Sequence, residues 1–271
     1  MNAPKKVAER VSAALKRFIP VLNSAYTRDV NESDTVMIVS DILQELFGFD
    51  KYSEITSELA IRGTYCDLAI RTDGAIQMLI EVKAIGLELK DQHVKQAVDY
   101  AANQGVEWVA LTNGRIWRIY RVIFAKPITQ ELVFEVNLLE FNPRLASHVD
   151  TLYLLTREGL SKSALPQYYA QQQLANRFFM AALLQTPPVL EVIRKEIRHF
   201  NPDIKLSLDE IQRVLVNEVI KREALEGERA AEAAKTLKKL EARRKRTKAK
   251  PKAAETPTDN NLGEGEFKPT N

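Results

Sequence analysis

Cysteine is almost missing from this chain: one residue, Cys66, among 271. A single thiol excludes an internal disulfide framework and any cysteine-rich zinc site. Histidine is scarce as well. His93, His148 and His199 lie far apart in the sequence, so a histidine-based metal centre is not expected. No apolar run approaches the roughly eighteen residues that a membrane span needs. The first residues, Met1-Asn2-Ala3-Pro4-Lys5-Lys6, lead into no apolar stretch with a small-residue cleavage site. The expectation is a cytoplasmic protein with no membrane partner. No Gly-x-x-x-x-Gly-Lys-Ser/Thr loop is present, which removes an ATP-driven motor of the P-loop type. There is no internal repeat.

What is present is enough apolar residue for a real core, 45% of the chain. The length fits one large domain or two small ones. Charge is uneven. Residues 235 to 252 carry ten Lys/Arg and one acid, a local +9 on a chain whose total is +3, which leaves −6 for the remainder. The body is mildly acidic and the tail strongly basic, so attraction to a polyanion would come mainly from the tail.

The most informative segment is Asp67 to Lys83. It reads as a hairpin: Asp67-Leu68-Ala69-Ile70-Arg71, a turn at Thr72-Asp73-Gly74, then Ala75 to Lys83. An Asp-Gly pair between apolar runs is a strong turn signal. Side chains alternate faces along a strand. The even positions Leu68, Ile70, Ile76, Met78, Ile80 and Val82 are all apolar and form the core face. Cys66 falls on that face too, as a buried thiol. The odd face gathers Asp67, Glu81 and Lys83 at one end. Opposed strand residues must share parity here, so the turn should hold an odd number of residues, most simply Thr72-Asp73-Gly74 with Gly74 left-handed. Two carboxylates about 4 Å apart repel by roughly 1 to 4 kcal/mol. A bound divalent cation together with Lys83 would reverse that sign. A Glu81–Lys83 pair on a solvated sheet face is the plainer alternative.

The neighbouring residues resemble the PD-(D/E)xK nuclease superfamily, and more narrowly the nuclease domain at the N-terminus of type I restriction enzyme R subunits. The matching stretches are Gly63-Thr64-Tyr65-Cys66-Asp67, Ile80-Glu81-Val82-Lys83-Ala84, Gln96-Ala97-Val98-Asp99-Tyr100-Ala101 and Leu111-Thr112-Asn113-Gly114. The resemblance covers roughly residues 34 to 122. Cys66 stands where a Pro often precedes the first Asp. The resemblance implies a restriction-endonuclease-like α/β core, with a central mixed sheet flanked by helices. It implies a Mg²⁺ site, with Mn²⁺ as a substitute, formed by Asp67, Glu81 and the carbonyl of Val82. Lys83 would be the catalytic cation, and Gln96 and Tyr100 would steady it or the DNA phosphate. A helix glutamate often assists in this family. Glu45, on the second helix, is the candidate for it, and Glu58, on the strand expected near residues 55–61, is a competing acid.

Around the hairpin, a first helix is expected over residues 5–19, ended or bent by Pro20. A second starts near Asp34, with Asn31, Ser33 and Asp34 as cap candidates. Its stripe is Val36, Val39, Ile42, Leu43 and Leu46, and Gly48 is its stop. A strand near 55–61 precedes the hairpin. A helix over 89–104, strands over 106–111 and 115–122 around Asn113-Gly114, and a last strand near 129–136 follow. Trp108 and Trp117 are expected to pack rather than to stack on bases. Beyond residue 140 the pattern is helical, with Thr186-Pro187 opening one helix and a Ser207/Glu210 capping box opening another. Residues 221–246 should form a long solvated helix, and 256–271 a disordered end. The expected division is 1–140 nuclease-like, 141–222 helical accessory, and 223–271 charged helix and basic tail.

These features point to a Mg²⁺-dependent DNA endonuclease in restriction or phage defence, free-standing, as a homodimer, or acting with motor and specificity chains. Arg243, Arg244, Lys245 and Arg246 join Lys83 and Gln96 as candidate DNA contacts. The competing function is a non-catalytic DNA-binding or interaction protein on the same fold. Removing one of the two repelling acids is expected not to destabilise the metal-free protein.

Overall fold

Helix α1 (Lys5–Thr27) is built by one buried stripe: Val7, Val11, Leu15, Phe18, Leu22 and Ala25. The computed structural model describes residues 2–61, 64–142 and 144–249, with side chains at all of these except 58–61, 64–65 and 245–249. The stripe continues past Pro20, which lies inside the helix. The expected end at residue 19 is therefore corrected: the helix continues through Pro20 to Thr27. Leu22 and Ala25 continue the apolar period on the far side, and their burial outweighs the backbone hydrogen bond that proline cannot donate.

Helix α2 (Glu32–Glu45) opens on Asn31, whose side chain accepts from the Asp34 amide at 2.9 Å. It buries Thr35, Val39, Ile42 and Leu43. Strands β1 (Ile55–Ile61), β2 (Thr64–Thr72) and β3 (Ala75–Val82) follow as an antiparallel meander. Helix α3 (Asp91–Gln104) then crosses to β4 (Trp108–Thr112), which pairs parallel with β3. Strands β5 (Ile116–Ile123) and β6 (Thr129–Asn137) complete an antiparallel run. The sheet order is β1-β2-β3-β4-β5-β6, so the single parallel pair sits at its centre. A parallel pair needs a crossover, and α3 supplies it. This is an α/β fold with a six-stranded mixed sheet, consistent with a nuclease-like core.

Two buried layers cover the sheet. Leu68, Ile70, Met78, Ile80 and Val82 pack with α1 and α2. Ala69, Leu79, Val109 and Leu111 pack with Val94, Ala97, Val98, Tyr100 and Ala101 of α3. Both tryptophans pack. Trp117 meets Phe47 edge-on at 5.2 Å, and Trp108 meets Tyr169 in the same manner at 6.1 Å.

Helices α4 (Ala146–Tyr153), α5 (Arg157–Ser161) and α6 (Ala164–Leu174) follow. Leu152, Leu154, Leu155, Ala164 and Leu165 enter the layer shared with α1 and α2. The Arg10 guanidinium grips both oxygens of Glu158 at 2.6 and 2.7 Å and so ties α1 to α5. The first compact unit accordingly runs to Gln172. An expected boundary at 140 leaves out these helices, whose short apolar runs look local in sequence.

The second compact unit begins at Gln173. It contains α7 (Arg177–Leu184), α8 (Pro187–Phe200), α9 (Leu208–Val214) and α10 (Glu228–Ala249). Pro187 starts α8, and Ser207 and Glu210 form the reciprocal cap of α9. Among the described residues no helix is long and apolar enough to cross a membrane. The expectation for residues 256–271 falls outside the described residues.

Candidate active site

The β2–β3 hairpin is closed by a two-residue turn. Thr72 pairs with Ala75, and Asp73 and Gly74 both take positive φ, 51° and 78°. Two successive left-handed residues define a type I′ turn, which is why the second is glycine. The expected three-residue turn is thus corrected. Parity is restored elsewhere. Arg71 pairs with Ile76, but Ile70 pairs with Met78, so Gln77 is an extra residue in a bulge. From the bulge onward the pairs are Ile70–Met78, Ala69–Leu79 and Leu68–Ile80. One step further sets Asp67 opposite Glu81. The bulge also moves Ile76 off the even face, and it packs in the α3 layer. Cys66 departs from the even face too. It is buried in the α3 layer, held by weak Sγ hydrogen bonds to the carbonyls of Leu68 and Ile80 at 3.4 Å. Burial, then the charge of Glu81, push its thiol up to about 12, so it stays protonated.

At the end of the hairpin the acids and the lysine meet. The Val82 amide donates to Asp67 Oδ2 at 2.7 Å. Lys83 Nζ donates to Glu81 Oε1 at 2.7 Å. Glu81 is only 5% exposed, and its other oxygen, Oε2, is buried with no hydrogen-bond partner among the described residues. Burial and the nearby Asp67 raise the Glu81 carboxyl above its ordinary value, against the opposing pull of Lys83. Desolvation works to lower Lys83, but Glu81, Glu32 and Asp67 outweigh it, and the ammonium is held above its ordinary value. The lysine is a firmly charged cation. An acid with one orphaned buried oxygen is costly to keep and marks a place where a further positive group fits.

The α2 glutamate beside Lys83 is Glu32. Its Oε2 lies 3.5 Å from Lys83 Nζ. Glu32 is the first residue of α2, set there by the Asn31 cap. Glu45 is the last residue of the same helix, about 20 Å away along its axis at 1.5 Å per residue. It pairs with Arg17 instead. The side chain of Glu58 lies outside the described residues. Sequence reasoning starts this helix near Asp34, which leaves Glu32 outside it. The Asn31 cap was the available signal, since it fixes which residue opens the helix.

Tyr100 is buried in the α3 layer with Ala69 and Leu79, on the sheet face that carries Glu81. Gln96, one turn earlier, is exposed. Arg243 and Arg244 lie near the end of α10, in the second unit, and are exposed; Lys245 and Arg246 share the helix, but their side chains are not described.

The donor set is two carboxylates. Among the described residues no three His, Cys, Asp or Glu side chains cluster as a ready-made metal cage. Mg²⁺ suits such a place. It is commonly held by one or two carboxylates, with waters and substrate phosphate completing its shell. No curated protein and no solved structure matches the chain. Residues 40–133, about a third of the chain, match the family model of the type I restriction enzyme R protein N terminus, a stretch that holds Asp67, Glu81, Lys83, Gln96 and Tyr100 and begins after Glu32.

Proposed function

We propose that the protein is a Mg²⁺-dependent DNA endonuclease, acting in restriction or phage defence. The observation that carries this is the orphaned, buried Oε2 of Glu81, beside Asp67 and a charged Lys83. Asp67 and Glu81 would hold the cation, with the carbonyl of Val82 as a further oxygen and Mn²⁺ as a substitute. The cation, when bound, supplies positive charge against the scissile phosphate and acidifies water. The chain's own residues do the rest. Asp67 is oriented by the Val82 amide. Lys83 is kept charged and aimed by Glu81 and Glu32. From there it donates to the attacking water or to a phosphate oxygen as negative charge develops. Tyr100 and Gln96 brace that end of the site from α3. The product ends would be a 5′-phosphate and a 3′-hydroxyl.

Partners follow from the same reading. DNA is the substrate, drawn in by Arg243, Arg244, Lys245 and Arg246 of the basic tail. Cutting both strands takes two active sites, so a homodimer, or assembly with motor and specificity chains in the cytoplasm, would complete the system. Supercoiled plasmid with Mg²⁺, and separately with EDTA, tests the proposal. Wild type should nick or linearise it only with the metal, and Lys83→Met or Glu81→Gln should be at least about a hundredfold slower. Undiminished cutting by either variant, or cutting in EDTA, would overturn it.

A further inference from the structure

Lys83 sits one residue beyond the end of β3, where the ladder stops and the chain turns away to α3. Its own amide still bonds to the Thr112 carbonyl at 2.8 Å. What fixes the chain on its other side is a set of three side chains from the β4–β5 turn and strand. The carbonyl of Ile85 accepts from Arg115 Nε and Nη2 at 3.1 and 3.0 Å. The carbonyl of Leu87 accepts from Asn113 Nδ2 at 2.9 Å. The carbonyl of Leu89 accepts from Arg118 Nη1 at 2.7 Å. Every second carbonyl of the connection is thus held by a side chain from one neighbouring hairpin.

The holders are themselves fixed. Asn113 is fully buried, and its Oδ1 accepts from the Ile116 amide at 2.9 Å. The Thr112 hydroxyl bonds to the Ile116 carbonyl and receives the Gly114 amide. Gly114 has φ of 81°, a conformation that favours glycine. The Arg115 guanidinium carbon lies over the Tyr26 ring, 3.7 Å from its centre. A planar fork set over a ring and chelating one carbonyl loses little further freedom, which a lysine could not imitate. Tyr120 then bonds to Asp91, the first residue of α3, at 3.0 Å.

We infer that Asn113, Arg115 and Arg118 are positioning residues: they clamp the connection between Lys83 and α3 and thereby set where the Lys83 ammonium stands. This rests on the nuclease reading, in which Lys83 meets the substrate. A lysine head rides on four carbons. Its placement to within about half an ångström depends on a fixed backbone on both sides. The sheet supplies one side, and the clamp supplies the other. It also gives a purpose to Leu111-Thr112-Asn113-Gly114, which lies after the carboxylates and lysine and supplies no ligand.

Two variants, Arg115→Gln and Arg118→Gln, test this in the full chain. The first readout is amide hydrogen exchange in EDTA, which needs no activity. Exchange across residues 84–90 should quicken at least about tenfold in each variant, with the rest of the sheet unchanged. The second is cleavage at saturating DNA beside DNA affinity. The rate should fall about tenfold or more while the Kd for DNA moves less than about threefold, because misplaced groups cost rate more than binding. Arg115→Lys should recover only part of either effect. Unchanged exchange in both variants would overturn the clamp. A Kd weakened tenfold with an unchanged saturated rate would overturn the positioning role and make Arg115 a phosphate contact. Wild type inert on DNA would sink the nuclease reading alone, and exchange would still decide whether the clamp exists.

Discussion

Removing Lys83 should destabilise the metal-free protein, and the loss should depend on pH in a direction the structure dictates. Glu81 is 5% exposed, and Lys83 donates a hydrogen bond to one oxygen of its carboxylate. Lys83→Met keeps the aliphatic stem and deletes the charge. It leaves a buried carboxylate facing Asp67, and breaking a buried pair from one side can cost about 3 to 5 kcal/mol. Protonation sets a ceiling. Neutralising a carboxyl of ordinary value 4.5 at pH 7 spans two and a half pH units, about 3.4 kcal/mol at roughly 1.4 kcal/mol each. Lys83 retains some solvent access, 18% for its side chain, so about 1 to 3 kcal/mol is expected.

The sign with pH follows from Glu81. Its folded value lies above the unfolded one, so the folded state binds more protons in that window. The carboxylate therefore costs stability at high pH, and the cost is relieved as pH falls through the folded value toward 4.5. Without Lys83 that folded value rises further. The deficit of Lys83→Met relative to wild type should be greatest at pH 8 and should shrink by pH 5. Glu81→Gln should be nearly neutral, because it loses a charge-assisted bond but also removes the orphaned oxygen and the repulsion with Asp67. The double variant should resemble Glu81→Gln. Urea unfolding in EDTA across this range measures all four proteins. A Lys83→Met deficit that is the same at pH 5 and pH 8, or no deficit at all, would refute the reasoning.

Glu32→Gln should slow cleavage about tenfold at unchanged stability, since it loosens the second hold on Lys83. Glu45→Gln should leave the rate unaltered; measured rates of the two variants check which end of α2 serves the site. Ca²⁺ should support DNA binding but little cutting, because it tolerates looser shells than the near-octahedral one Mg²⁺ demands; equal cutting rates in the two metals would contradict the mechanism. Deleting residues 235–271 removes the +9 segment and should weaken DNA binding and flatten its salt dependence, with chemistry at saturating DNA nearly unchanged. Binding curves at two salt concentrations decide that; coincident slopes would mean the tail does not touch DNA.

Much of the candidate site's arrangement is legible in the sequence, because strand parity is a local property. Alternating apolar residues put Leu68, Ile70, Met78, Ile80 and Val82 in one layer and Asp67, Glu81 and Lys83 at one hairpin end. Helix caps were equally local: Asn31, Ser207 and Glu210 act where their chemistry says. The sequence was less informative where distant packing decides. Pro20 stays in a helix because Leu22 and Ala25 are buried by other elements. Helices α4 to α6 belong with the sheet because Leu152, Leu155 and Leu165 fill its layer. The path of α2 past β3 is likewise set by packing, and it brings Glu32 rather than Glu45 to Lys83.

The hairpin turn shows why a correct constraint can have a wrong local solution. Two requirements compete in Thr72-Asp73-Gly74. The right-handed twist of paired strands favours a two-residue type I′ turn, which Asp-Gly forms readily. The burial pattern demands that Asp67 not oppose Ile80. A three-residue turn meets the second demand at the expense of the first. The chain meets both by placing the extra residue at Gln77, three residues past Gly74. Such a bulge is inexpensive there because Gln77 is polar and only partly buried, and a bulge adds local twist of the same hand. The consequence reaches the site. Deleting Gln77 would leave the turn intact and slide Glu81 by one residue against Asp67, so the register that brings the two acids together is held by the bulge as much as by the turn.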